Sequence, residues 1–225
     1  MNNKEENDIN KTVEPADFLK RKYLRILIRL SSLILLLTIT LSWIFYPDTY
    51  FPLKYYISHL GGIDTVLGNP NTISRYIFMS GVWIVAIITF LMVLEYFKPH
   101  NLNKLNVVKG IILVFMMVSS IIIGLPYDSK FHLIHSVGAI AYYISFNIYV
   151  FLCQFTRFRR RKITFNTEES QKITPDKYYV FLMLAITISY FIAFFMDLKN
   201  LLPIIQKLIV LSSMFGVIIL DKEDL

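Results

Sequence analysis

The chain has 225 residues, 55% of them hydrophobic, a formal charge of +7 and one cysteine, Cys153. So much uninterrupted apolar sequence excludes an ordinary soluble domain of this size. The lone cysteine excludes a disulfide within the chain, and apolar runs that are continuous rather than alternating exclude a transmembrane β-barrel.

Residues 1–20 are polar and charged and read as a disordered cytoplasmic tail. The apolar core of a signal peptide would begin sooner and end in a small-residue cleavage site. Six apolar runs follow, at about 24–46, 76–94, 107–125, 133–155, 178–196 and 201–220. Crossing a hydrocarbon core of about 30 Å takes roughly 20 helical residues, and backbone in lipid must satisfy its own hydrogen bonds. The prediction is an all-α, polytopic bundle of six transmembrane helices. Residues 21–225 form that single membrane domain and leave no room for a second one.

The first run carries Ser31, Ser32, Thr38, Thr40 and Ser42, which suit close packing against a neighbouring helix. Trp43 and Tyr46 mark an interface, and Pro47-Asp48 ends the helix. The next loop, 47–75, is the longest on its side. Its aromatic first half is expected to lie along headgroups, while Gly61-Gly62 and Gly68-Asn69-Pro70-Asn71 supply turns. A loop of this kind is predicted to fold over the mouth of the bundle. Between the third and fourth runs, Gly124-Leu125-Pro126 breaks the helix, and the short connection makes the two helices antiparallel neighbours. Asn147 is the strong polar group in mid-membrane and is predicted to hydrogen-bond another helix. Lys207 is expected to snorkel outward or pair with Asp197.

Basic residues concentrate on one side if every run spans. Lys20, Arg21, Lys22, Arg25 and Arg29 precede or open the first run, Lys98, Lys104 and Lys109 flank the second loop, and 157–162 reads Arg-Phe-Arg-Arg-Arg-Lys. The opposite side holds only Lys54, Arg75, Lys130, Lys199 and Lys207. The positive-inside rule then predicts a multi-pass protein of the cell membrane with both termini cytoplasmic. The 157–162 stretch abuts a helix end, which assigns it to topology and anionic headgroups rather than to nucleic acid.

Asp128, His132 and His135 are spaced by four and three, which places them on one face if helical geometry extends back to Asp128. His59 and Asp64 of the long loop can reach the same end of the bundle. His59, Asp128, His132 and His135 are therefore candidate ligands for a divalent metal such as zinc, with an open position for water. The first reading of these residues is nevertheless a hydrogen-bonded structural cluster at a helix start, with a proton relay or a headgroup contact as further alternatives. No H-E-x-x-H or G-x-S-x-G pattern and no phosphate-binding glycine loop is present, so a conventional enzyme is not indicated and no cofactor is expected.

Ile57-Ser58-His59-Leu60-Gly61, followed by Asn69-Pro70 and Tyr76-Ile77-Phe78, resembles the I-S-x-L-G, N-P and I-F-N stretches of an uncharacterised prokaryotic six-helix membrane family, of the domain-of-unknown-function 998 type. Gly124-Leu125-Pro126-Tyr127-Asp128 with His132 and Ser136 resembles that family's G-x-F-P-x-D … H … S stretch. The chain departs from the pattern at Ser80, where asparagine and glycine are usual, and at Leu125, where an aromatic precedes the proline. A more distant similarity is to the eukaryotic FRAG/DRAM/Sfk group, associated with lipid handling and lipid-anchor remodelling. The resemblance implies that Ser58, Gly61, Asn69, Pro70, Asp128 and His132 are shared positions at the outer face.

The expected function is a non-enzymatic, lipid-associated membrane protein that binds or organises a lipid headgroup or partner at its outer face. The alternative is a metal-dependent membrane hydrolase acting on a lipid there. A small transporter is less consistent with helix interiors that are nearly all apolar. Expected partners are membrane lipids, with a membrane-protein partner or a second copy of the chain as alternatives, and no nucleic acid.

Overall fold

The computed structural model describes residues 15–99, 103–127, 131–164 and 175–219. These residues form six helices: α1 (Pro15–Ile44), α2 (Thr72–Tyr96), α3 (Lys104–Ile123), α4 (His132–Thr164), α5 (Pro175–Phe195) and α6 (Leu202–Ile219). A 3-10 turn, Ile57–Gly61, lies between α1 and α2. Within the helices, Lys22–Ile44, Thr72–Tyr96, Lys104–Ile123, His132–Thr156 and Leu202–Ile219 are each long and apolar enough to cross a bilayer, and α5 contributes the shorter apolar stretch Phe181–Phe195. The chain is an all-α membrane bundle, as its apolar runs require.

Helix ends follow local chemistry. The Asn103 side chain caps α3 by accepting the Asn106 N–H at 2.9 Å. Gly124 and Pro126 stop the same helix at its far end. The tight turn between α5 and α6 puts Asp197 at a φ of 52°, and Pro203 sits in the first turn of α6, where its missing N–H costs nothing. α1 begins at Pro15, so helical backbone reaches into the segment assigned from sequence to the tail.

Consecutive helices α1 to α4 pack side by side, α6 packs on α4 and α5, and α6 also touches α1, which closes the ring. In lipid, such packing depends on small residues that let backbones approach. Gly81 of α2 lies directly against Thr38 of α1, and a Cβ at Gly81 would overlap the threonine side chain. Gly138 of α4 stands in the same relation to Ile122 of α3. Polar side chains then join helices in pairs. Ser120 donates to the Val82 carbonyl at 2.7 Å, Gln154 to the Gly216 carbonyl at 3.1 Å, and the Tyr96 and Tyr149 hydroxyls meet at 3.0 Å. Asn147 finds the partner expected of it, accepting from the Thr187 hydroxyl of α5 at 2.9 Å.

Two charged groups sit differently from their sequence reading. Lys109, expected beside a loop, is 1% exposed within α3. Lys207 reaches toward the loop end of the bundle but does not pair with Asp197; it donates to the backbone carbonyls of Tyr55 and Pro203 at 2.5 and 3.2 Å. Asp197 instead lies 3.3 Å from Lys199 on the surface.

Candidate functional site

The long loop is built as two tied halves. In the first, the Tyr50 hydroxyl donates to the carbonyls of Tyr55 and Tyr56 at 3.2 and 3.0 Å. The Ile57 N–H then donates to the Gln206 carboxamide oxygen at 3.1 Å. In the second half, Asp48 accepts from the Thr65 hydroxyl and, at 2.8 Å, from the Asn69 side chain. Isolated β-bridges join Asp64 to Pro70 and Gly62 to Tyr127. Asn71, fully buried, donates to the carbonyls of Leu60 and Gly62 at 3.0 and 3.1 Å, and Ser74 adds a second donor to Leu60 at 2.8 Å. The loop therefore sits over one end of the bundle, as expected of it, because its backbone groups are satisfied there.

Tyr127 lies at the centre of this end. Its ring centroid is 5.4 Å from that of His59, 4.9 Å from His132 and 5.2 Å from His135. The three histidines singled out from the sequence thus come together around a tyrosine that the sequence reading had not singled out as a site residue. They are not equivalent. His132 opens α4 and is exposed, His135 is fully buried with Nδ1 3.0 Å from the Leu125 carbonyl, and His59 is half-buried between Tyr55, Tyr56 and Tyr127. α4 begins at His132, and His132 and His135 stand three apart along it. Asp128 itself lies outside the described residues.

Burial pushes the His59 imidazole down to a pKa of about 4, and the positive charges of Lys207, His135 and His132 add to the effect. Burial also raises the Tyr127 phenol. His59 is therefore neutral, and Tyr127 protonated, near pH 7. His59 Nδ1 and His135 Nε2 are buried with no hydrogen-bond partner among the described residues. Among those residues no group of three or more His, Cys, Asp or Glu side chains is placed to hold a metal.

Two recesses share Tyr127 and His132 as walls. The larger, about 540 Å³, opens toward the loop and is lined by His59, Asp64 and Thr65 with Ile63 and Val66. The smaller, about 240 Å³, lies between α4, α5 and α6, where Ser136, Tyr190 and Gln206 face Ala139, Ile140 and Phe194. Ser58 and Tyr56 close its loop side. Of the positions implied by the resemblance, Ser58 and His132 line a recess. Gly61 is structural, since a Cβ there would come 2.5 Å from the Phe78 ring. Asn69 and Pro70 shape the loop through Asp48 and Asp64.

Sequence reasoning missed Tyr127, Tyr190 and Gln206 as wall residues. Gln206 carried a usable signal, being the one carboxamide in the apolar α6. Tyr190 carried none, because an aromatic at a helix end reads as an interface anchor. Compared with protein-family models, curated proteins and solved structures, the chain matches none.

Proposed function

We propose that this integral membrane protein binds a lipid headgroup in the recess under its first loop, on the outer side of a cell membrane, with both termini in the cytoplasm. The carrying observation is the pair of recesses that meet at Tyr127 and His132, at the end of the bundle where the basic loops are absent. Imidazole, phenol, hydroxyl, carboxamide and carboxylate groups converge there, which is the mixture of donors and acceptors that orients a polar group inside a concave site. The surrounding helices present apolar side chains to the bilayer, so a lipid is the ligand already at hand in high local concentration.

Lipid titration of the detergent-purified protein, followed by thermal denaturation, tests this reading. A ligand that binds only the folded chain raises the midpoint. His132 and Asp64 are exposed side chains of the recess, so His132→Ala and Asp64→Ala are expected to fold normally and to weaken the stabilisation about tenfold, one lost hydrogen bond to a charged or polar group being worth roughly 1–1.5 kcal/mol. Midpoints that ignore every lipid tested, or that lipid raises as much in both variants as in the parent chain, would sink the reading.

A further inference from the structure

We infer that the site takes a whole membrane lipid that enters sideways from the bilayer, its headgroup against Tyr127 and His132 and the first part of an acyl or alkyl chain in the cleft between α4, α5 and α6. The inference rests on the headgroup reading and goes further, to the class of ligand and its route. The cleft shares its upper wall with the polar recess, so one molecule can occupy both. Along α4 its lining runs His132, Ser136, Ala139, Ile140, positions that share one helix face. At 1.5 Å per residue this face descends about 12 Å below His132.

The chemistry changes with depth in the order a lipid requires. At the top are the His132 and Tyr127 rings. About one turn down stand Ser136, with Tyr190 and Gln206 each about one turn from the same end of its own helix. These hydrogen-bonding groups lie where a lipid carries its ester or ether oxygens. Ala139 and Ile140 form the floor. One wall, Phe194, is 48% exposed and packs on the exposed Phe195 ring, and the outward positions Leu133 and Val137 of α4 are exposed and apolar. Those surfaces belong to the helices that cross the membrane, so the cleft borders hydrocarbon rather than water. An acyl chain passing from bilayer to cleft exchanges one apolar medium for another, whereas the polar groups of a soluble ligand would have to be stripped of water to reach the same floor.

The test is photolabelling in vesicles of phosphatidylethanolamine and phosphatidylglycerol, the latter carrying a diazirine on its acyl chain near the glycerol. Label is expected in peptides spanning 136–140 and 190–194, and it should fall several-fold when the cleft is filled by Ala139→Trp or Ile140→Trp. Ile87→Trp, on the exposed face of α2 and away from the cleft, should leave it unchanged. Ile140 is only half-buried, so its variant carries the test if Ala139→Trp does not fold. Labelling spread evenly over the outer faces of all helices, or unaffected by both filling variants, overturns the inference. Modification of His132 by diethyl pyrocarbonate separates the two levels: protection by soluble glycerophosphoglycerol without cleft labelling leaves the headgroup reading standing and removes the lipid route. Absence of protection by either lipid or soluble headgroup removes both.

Discussion

Lys207 donates to the Tyr55 carbonyl at 2.5 Å, and the residue before it, Gln206, accepts the Ile57 N–H at 3.1 Å. Two consecutive side chains near the start of α6 therefore hold the loop that roofs the recess. The Lys207 ammonium also lies 6.0 Å from the centroid of the Tyr50 ring, a favourable cation–π distance, and Tyr50 itself donates to Tyr55 and Tyr56. One cation thus organises the whole first half of the loop.

Replacing that cation with an apolar side chain of similar length, Lys207→Met, is expected to destabilise the fold by about 1–3 kcal/mol, the usual cost of losing a charged hydrogen bond to a part-buried carbonyl. Gln206→Leu leaves the buried Ile57 N–H without an acceptor and should cost a similar amount. Amide exchange of residues 55–62 reads the local effect. Exchange as slow as in the native chain would show that other contacts hold the loop.

At the α1–α2 crossing, Gly81→Ala forces a methyl group into the space of the Thr38 side chain. Overpacking of this kind costs about 1–3 kcal/mol. Shortening the obstacle in Thr38→Ala/Gly81→Ala should recover much of the loss, so the two substitutions should be strongly non-additive. Thermal midpoints of the two singles and the double form the cycle; simple additivity would mean the two helices do not meet at this pair.

His59 makes stability depend on pH. Its folded pKa, about 4, lies below the ordinary imidazole value of about 6.5, so on acidification the unfolded chain takes up the proton first. The His59 contribution is fully present above about pH 6.5 and is lost as the pH falls toward 4, with an upper bound of about 3 kcal/mol from the size of the shift. His59→Gln should flatten stability across this window. An unchanged acid slope in the variant would assign the loss to other groups.

Metal content separates the headgroup reading from the hydrolase alternative. With Tyr127 packed against all three imidazoles, the expected result is no stoichiometric metal in protein purified without chelator from metal-supplied cells. Near-stoichiometric zinc, manganese or iron that disappears in His132→Ala/His135→Ala would bring the hydrolase forward and call for lipid-cleavage assays.

Orientation is open to direct labelling because the one cysteine, Cys153, is fully buried. Leu67, 70% exposed at the loop tip, is a suitable site for Leu67→Cys. A membrane-impermeant maleimide added to intact cells should label this variant and leave the parent chain unlabelled. Labelling only after the cells are opened would invert the topology proposed from the basic loops.

The existence and span of the helices were legible because a bilayer forces a simple rule on the backbone: long apolar runs must become helices, and charged or turn-forming residues must lie between them. Asn147 was legible for the same reason, since a carboxamide in hydrocarbon needs a partner on another helix. The roles of Lys207, Lys109 and Tyr127 were not. A lysine near a helix end has the same sequence signature whether it reaches water or, like Lys207, a loop carbonyl 152 residues away. Lys109 is 1% exposed in the folded bundle, although its sequence position beside a loop reads as solvent-facing. An aromatic beside a proline reads as an interface anchor until closure of the helix ring brings the first loop down on it. What joins His59, Tyr127, His132 and Gln206 is contact between segments far apart in the chain, and such contacts are set by how the helices pack, which apolar periodicity does not encode.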